Sequence, residues 1–268
     1  MTLLAKQRQA AILNEVRRRG GVRVSELIDM LGVSDMTIRR DLVTLAHDGL
    51  LEKVHGGAAV LPEHSTTEPG FRAKSLREHA EKEAIAASAA EFVTPGAAIA
   101  MTAGTTTHAL ARRLVDVPRL TVVTNSLPLA EVLYEANGPD QTVVLTGGVR
   151  TPSDALAGAI AVEAIRSLHV DILFMGIHGM DEHAGFTAPN LLEAEVDRAL
   201  VEAARQLVIV ADHTKFGVVG LSTITSLDEA DVLVTDDGLA PAQRELLAER
   251  VGRLIVVPVS DRGAQSSG

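Results

Sequence analysis

The sequence predicts an α/β protein: an N-terminal winged helix-turn-helix followed by a larger domain on an open parallel sheet. Three observations predict it. Three short amphipathic helical patterns and a glycine-bearing hairpin pattern fill the first sixty residues. Beyond residue 82, short continuous apolar runs alternate with amphipathic stretches, as in a parallel sheet buried on both faces. Between them, residues 61–81 are polar and charged, carry two prolines and keep no sustained period, which reads as a linker. The expected organisation is therefore 1–60, a linker over 61–81, an α/β domain over 82–257 and a disordered tail over 258–268.

In the first segment Ala11, Ile12 and Val16 fall at helical spacing between Gln7 and Arg19, and Gly20-Gly21 ends that helix. Val24–Leu31 forms a second helix that stops at Gly32. Ser34 is a good N-cap for a third, from Asp35 to about Asp48, which turns Ile38, Leu42 and Leu45 inward. Gly49 closes it, and Leu50–Val60 reads as a short hairpin. In such a unit the third helix would enter a DNA major groove with its N-terminal half leading. Arg39 and Arg40 are then candidates for guanine edges or phosphates, and Thr37 for a base or a phosphate. Ser25, Ser34 and Met36 complete the candidate DNA-facing set, with Lys53 and His55 on the hairpin reaching backbone or minor groove. The pattern alone leaves a second reading open, a helical protein-interaction module with solvated arginines.

Charge and composition narrow the classes. Residues 1–60 hold nine Lys/Arg against seven Asp/Glu, a net of +2, whereas the rest holds 16 against 28, a net of −12. An acidic body repels polyanions except where a small basic end presents itself. The absence of Cys excludes disulfides and thiolate metal or redox sites. Aromatic content of 2% argues against stacking platforms for single strands or sugar rings. No apolar run approaches the roughly 18–20 residues of a membrane span, and the N-terminus lacks a signal-peptide pattern. A soluble cytoplasmic protein is expected.

Strands are expected at Ala98–Thr102, Leu120–Thr124, Thr142–Thr146, Asp171–Met175, Leu207–Ala211, Asp231–Thr235 and Leu254–Val257. Helices are expected at Lys82–Phe92, Thr106–Leu114, Leu127–Glu135, Ala161–Leu168 and Leu191–Ala204. Ligands of open sheets sit at the carboxyl ends of strands, so the residues just after each run matter most. There the sequence places Gly104, Thr105, Thr106 and Thr107 opening a helix, then Asn125 and Ser126, then Gly147, Gly148 and Arg150. His178 and Asp181 follow the fourth run, Asp212 and Lys215 the fifth, and Glu195 lies on a helix nearby. Together these describe an anion cradle of N–H groups, hydroxyls and a cation beside carboxylates that accept from hydroxyls. A phosphorylated polyol fits that chemistry. Neither GxGxxG nor GxxxxGK[ST] occurs, which disfavours dinucleotides and P-loop nucleotides.

No metal site or cofactor is expected. His178, His183 and His213 lack regular ligand spacing, and His47 and His64 read as solvated. Ser153, Ser167 and Ser222 lack a G-x-S-x-G context for a hydrolase nucleophile.

The stretch from Arg8 to Ala59, with Val33-Ser34-Asp35-Met36-Thr37-Ile38-Arg39-Arg40-Asp41-Leu42, Gly49-Leu50 and His55-Gly56-Gly57-Ala58, resembles the DNA-binding domain of the DeoR family of bacterial transcriptional regulators. The segments AGTTTHALARRL, VVTNSLPLA, LTGGVR, DILFMGIHGMD, EAEVDRAL, ADHTKFG and LVTDDGL resemble that family's effector domain, which is similar to ribose-5-phosphate isomerase. The resemblance implies a repressor of a carbohydrate-metabolism operon whose affinity for double-stranded operator DNA responds to a phosphorylated sugar. It also implies a homodimer or homotetramer, since one small head reads one half-site. The sequence departs from the pattern in two places. His178 stands where the family usually carries Asp, and of the isomerases' acid pair only Asp181 remains. The segment HAGFTAPNLLEAEV lacks the isomerases' glycine-rich run and catalytic Lys. Isomerisation needs a positioned base and an enediolate stabiliser, so the expectation is a binding site without turnover. The alternative is a sugar-phosphate isomerase-like enzyme fused to a DNA-binding head.

Overall fold

The computed structural model describes residues 4–47, 49–59, 70–75, 77–136 and 140–259, and the chain divides into two units, Met1–Arg77 and Glu78–Gly268. Residues 61–69 of the expected linker and the tail from 260 lie outside the described residues.

The first unit contains helices α1 (Ala5–Arg19), α2 (Val24–Leu31) and α3 (Asp35–His47) and strands β1 (Gly21–Arg23), β2 (Glu52–Val54) and β3 (Gly57–Ala59). Gly20 ends α1 in the left-handed region at φ 74°. The inward row is Ile12, Leu13 and Val16 from α1, Val24 and Leu27 from α2, and Ile38, Leu42 and Leu45 from α3. Leu50, Leu51, Val22 and Ala58 close this core from the sheet side. The hairpin is one strand wider than the sequence suggests, because β1 pairs antiparallel with β3 in the order β1-β3-β2. A Cβ at Gly57 would stand 2.2 Å from the Val22 carbonyl oxygen, so glycine is what lets β1 close against β3.

Helix α4 (Phe71–Ser75) and the start of α5 (His79–Ala90) fall inside the stretch expected as linker, so helical order begins earlier than the composition suggests.

The second unit is a three-layer α/β/α fold. Each of the seven expected runs forms a strand: β4 (Ala98–Met101), β5 (Thr121–Thr124), β6 (Thr142–Leu145), β9 (Ile172–Met175), β12 (Leu207–Val210), β14 (Val232–Asp236) and β15 (Leu254–Val257). All are parallel, in the order β15-β14-β12-β9-β4-β5-β6. Alternate residues face opposite cores. Ile99, Met101, Val122, Phe174, Val208 and Val234 face α5, α6 (Thr105–Leu114) and α7 (Leu127–Ala136). Ala100, Val123, Leu173, Met175, Ile209 and Leu233 face α8 (Ala159–Ile165), α9 (Leu191–Ala203) and α10 (Pro241–Arg250).

Two smaller pieces and α10 were not expected. β7 (Val149–Arg150) and β8 (Leu156–Ala157) form an antiparallel ribbon, and β10 (Gly179–Asp181), β11 (Gly185–Ala188) and β13 (Ser222–Thr225) form an antiparallel sheet. These strands have two to four residues and mix Gly, Ser and Thr with apolar positions, so no apolar run marks them.

Candidate functional site

In the first unit Ser34 opens α3, its Oγ 2.9 Å from Thr37 Oγ1 and accepting from the Thr37 N–H at 3.4 Å. The two hydroxyls thereby tie each other down at the leading turn. Met36, beside them, is 80% exposed. A large apolar side chain held out on a polar helix face has no role in the core. Arg39 and Arg40 are exposed one turn on, Arg39 with its Nε 2.5 Å from Asp35 Oδ1. Ser25 on α2 and Lys53 and His55 on the hairpin are exposed as well. The structure thus leaves seven of the eight candidates at the surface, with Thr37 half-buried.

Sequence reasoning missed what holds α3. Asp41, on its inner face, is buried and accepts from Arg8 Nε at 2.5 Å, Arg8 Nη2 at 3.2 Å and Gln9 Nε2 at 3.2 Å. This ties α3 to α1, and the hydrogen bond to Asp41 raises the Arg8 guanidinium above its ordinary pKa. One of the nine head cations is therefore used internally, as is Arg19, paired with Glu26 at 2.7 Å.

In the second unit the strand order reverses between β4 and β9, which makes the crevice beyond their carboxyl ends the expected ligand position. Gly104 and Gly176 form its lips: a Cβ on Gly104 would lie 3.9 Å from Gly176 Cα. The Gly176 N–H donates to Thr102 Oγ1 at 3.0 Å, pinning the two strand ends together. Gly104 then starts α6, so the first N–H groups of Thr105, Thr106 and Thr107 open toward this edge with the positive end of the helix.

Several candidates prove to be used by the fold itself. Thr107 Oγ1 donates to the Gly104 carbonyl at 3.0 Å. Asn125 is buried, accepting from the Ala103 N–H at 2.8 Å and donating to the Leu156 carbonyl at 3.3 Å. Ser126 is buried and accepts from the Leu129 N–H at 3.4 Å in the first turn of α7. These residues brace the strand ends and helix starts, their hydroxyl and amide groups bonded to backbone. Gly148, at φ 118°, brings the chain against β8, where a Cβ would meet the Ala157 oxygen at 2.6 Å, and Gly147 turns at φ 71°. Arg150 is exposed on β7 and pairs with Asp154 at 2.5 Å.

Asp181 sits at the end of β10, where its Oδ1 accepts from the Ala184 and His183 N–H groups at 3.0 and 2.9 Å, and these bonds hold its carboxyl below the usual range. It closes the β10–β11 turn. Glu195 is exposed on α9; the carboxylate that turns inward is Glu193, half-buried, whose Oε1 accepts from Ser153 Oγ in the β7–β8 loop at 2.5 Å. Two residues of spacing on a helix reverse the side chain's direction, which the apolar period could have shown, since Ala194, Val196 and Asp197 are the buried positions.

Asp212 is buried at the end of β12 and caps the next turn, accepting from the Thr214 N–H at 3.1 Å and from its hydroxyl. His213 and Lys215 follow on that turn, with His178 near the same face, its N–H donating to the Thr187 carbonyl at 3.1 Å. Asp236, at the end of β14, follows the sixth apolar run but was not among the candidate site residues read from sequence. It is fully buried and accepts from the His213 N–H at 2.7 Å, from His213 Nδ1 at 2.8 Å and from the Gly238 N–H at 2.9 Å. Burial pushes its carboxyl up, but the His213 ring and these N–H groups outweigh that and hold it at about 2. Among the described residues no group of three or more His, Asp or Glu is arranged to hold a metal, and no helix is long and apolar enough to cross a membrane.

Comparison with known proteins covers both units. Residues 8–64 match the DeoR-like helix-turn-helix domain and residues 77–237 the DeoR C terminal sensor domain. The HTH-type transcriptional regulator GolR of Listeria innocua is 37% identical over 237 residues, covering 88% of this chain and 92% of its own. The glycerol-3-phosphate regulon repressor of Escherichia coli is 33% identical over 231 residues, covering 86% of this chain and 90% of its own. Among solved structures, ribose 5-phosphate isomerase A of Neisseria gonorrhoeae aligns at a TM-score of 0.36 and 16% identity, over 50% of this chain and 52% of its own. The two matched domains lie in sequence as they do in such regulators, and the chain belongs to the DeoR family of transcriptional regulators.

Proposed function

We propose that the chain is a transcriptional repressor of a carbohydrate-metabolism operon. In this reading α3 reads double-stranded operator DNA through Met36, Thr37, Arg39 and Arg40, with Ser25, Ser34, Lys53 and His55 on flanking backbone. A phosphorylated sugar or related metabolite occupies the crevice at β4 and β9 and changes operator affinity without being turned over. The observation that carries the reading is the glycine-lipped crevice at the reversal of strand order, facing the start of α6. Phosphate needs close backbone approach, N–H donors and a cation, and Lys215 on the β12 turn supplies the last. The similar Escherichia coli protein, the glycerol-3-phosphate regulon repressor, is named for a metabolite of the same chemical class.

The regulator acts in the cytoplasm, as a homodimer or homotetramer because one small head reads one half-site. The effector must favour one arrangement of heads over another, a coupling of about 1–3 kcal/mol or about 5–150-fold in operator affinity. The test is fluorescence anisotropy of a labelled fragment from the gene's own upstream region, titrated with protein, alone and with sugar phosphates and the matching unphosphorylated sugars. Salt-sensitive binding altered by one phosphorylated compound is expected, and Lys215→Ala should keep the binding and lose the response. Turnover of an aldose phosphate above buffer background would overturn the non-enzymatic part of the reading.

A further inference from the structure

We propose that His213 is a further contact for the effector's phosphate and that Asp236 is its positioning residue. This rests on the phosphorylated-effector reading above. A single buried carboxylate holds both the backbone and the ring of His213: one oxygen takes the His213 N–H at 2.7 Å, the other takes Nδ1 at 2.8 Å and the Gly238 N–H at 2.9 Å. An ionised carboxylate only accepts, so Nδ1 carries the proton and Nε2 lies on the side of the ring away from Asp236. The ring is 27% exposed while Asp236 is completely buried.

The position fits the role. β12 is the next strand to β9, so its carboxyl end borders the proposed crevice, and His213 stands two residues before Lys215. When the ring carries its second proton, Nε2 donates to an anion in front. The titratable groups on elements around it are Asp212 and Lys215 on its own turn, and Asp236 and Asp237 after β14. His178 and Asp181 flank β10, whose Met180 bridges Phe216. Asp212 is committed to Thr214 and Asp181 to the β10–β11 turn.

The test is calorimetric titration of the full chain with inorganic phosphate, glycerol 3-phosphate and ribose 5-phosphate from pH 5.5 to 8.5. The chain is used as wild type, His213→Gln, Asp236→Asn and Lys215→Ala. A phosphate monoester has its own second ionisation near pH 6, which is common to all variants and cancels in the ratio of affinities. The ratio of wild type to His213→Gln is expected to be largest at low pH. It should fall toward one as pH rises through the imidazole's midpoint, by at most about tenfold per pH unit for one linked proton. Asp236→Asn should move that fall to lower pH. Operator binding by the same variants reports folding, and His213→Gln alone carries the test if Asp236→Asn does not fold. A ratio that stays flat with pH, while Lys215→Ala still loses phosphate, overturns the role of His213 and leaves the effector reading standing. No binding of any probe by wild type overturns both.

Discussion

The two units carry their candidate residues in opposite ways. In the first unit seven of the eight proposed contacts stand exposed, while Asp41 and the apolar row point inward. In the second, Thr106, Thr107, Asn125, Ser126 and Asp212 are buried, and most of their polar atoms are already bonded within the chain. The difference follows from the shape of what each would bind. A duplex groove is filled by a convex helix, so the contacts must project. A small anion is enclosed, so polar residues first build the enclosure, and backbone N–H groups with a few side chains are left to meet the ligand.

The strongest way to break this comparison is to remove the inward strut of the convex surface. Asp41→Ala removes the buried carboxylate to which Arg8 and Gln9 donate and should cost the first unit about 2–3 kcal/mol. Denaturant unfolding should move the first unit's transition alone, and a shift of both units would tie them energetically. Arg40→Ala, by contrast, should leave stability within about 0.5 kcal/mol. It should weaken operator binding by about tenfold and make the salt dependence shallower by about one phosphate contact. Effector binding measured by calorimetry should not change.

Acid sharpens the comparison from the other side. Asp236 has a folded pKa of about 2, below its ordinary 3.8, so its contribution to stability is fully present above about pH 4 and is lost as pH falls toward 2. Asp181 is lowered in the same direction by its turn. Urea midpoints of the second unit should therefore hold between pH 7 and 5 and drop between pH 4 and 2. Asp236→Asn should flatten that drop.

The smallest expected effect separates two neighbouring carboxylates. Glu195→Gln changes an exposed position and should leave the effector response within twofold of wild type. Glu193→Gln replaces the acceptor of Ser153 and should weaken the response by more. Equal effects in the anisotropy assay would erase the distinction drawn between them.

Much of this was legible in the residues. Ile38, Leu42 and Leu45 marked the inner face of α3 because a helix repeats every 3.6 residues, and that fixed which residues could face DNA. The seven parallel strands were legible because burial on both faces demands unbroken apolar runs such as Leu207–Val210. The antiparallel pieces were not, since Gly179–Asp181 and Ser222–Thr225 are too short and too polar to carry a period. Nor was Asp236: a carboxylate after a strand looks alike in sequence whether it faces water or a histidine 23 residues away.

What the sequence by itself determined is local: the caps, the apolar faces, the strands and the glycines that allow close turns, all governed by interactions between near neighbours. The order of the strands was decided only by the tertiary structure, and with it the reversal between β4 and β9 that brings Gly104 to Gly176. The pairings of Asp41 with Arg8, Ser153 with Glu193 and Asp236 with His213 belong to the same level. Each joins residues far apart in the chain, and a side chain's partners across such a distance depend on packing that no local pattern encodes.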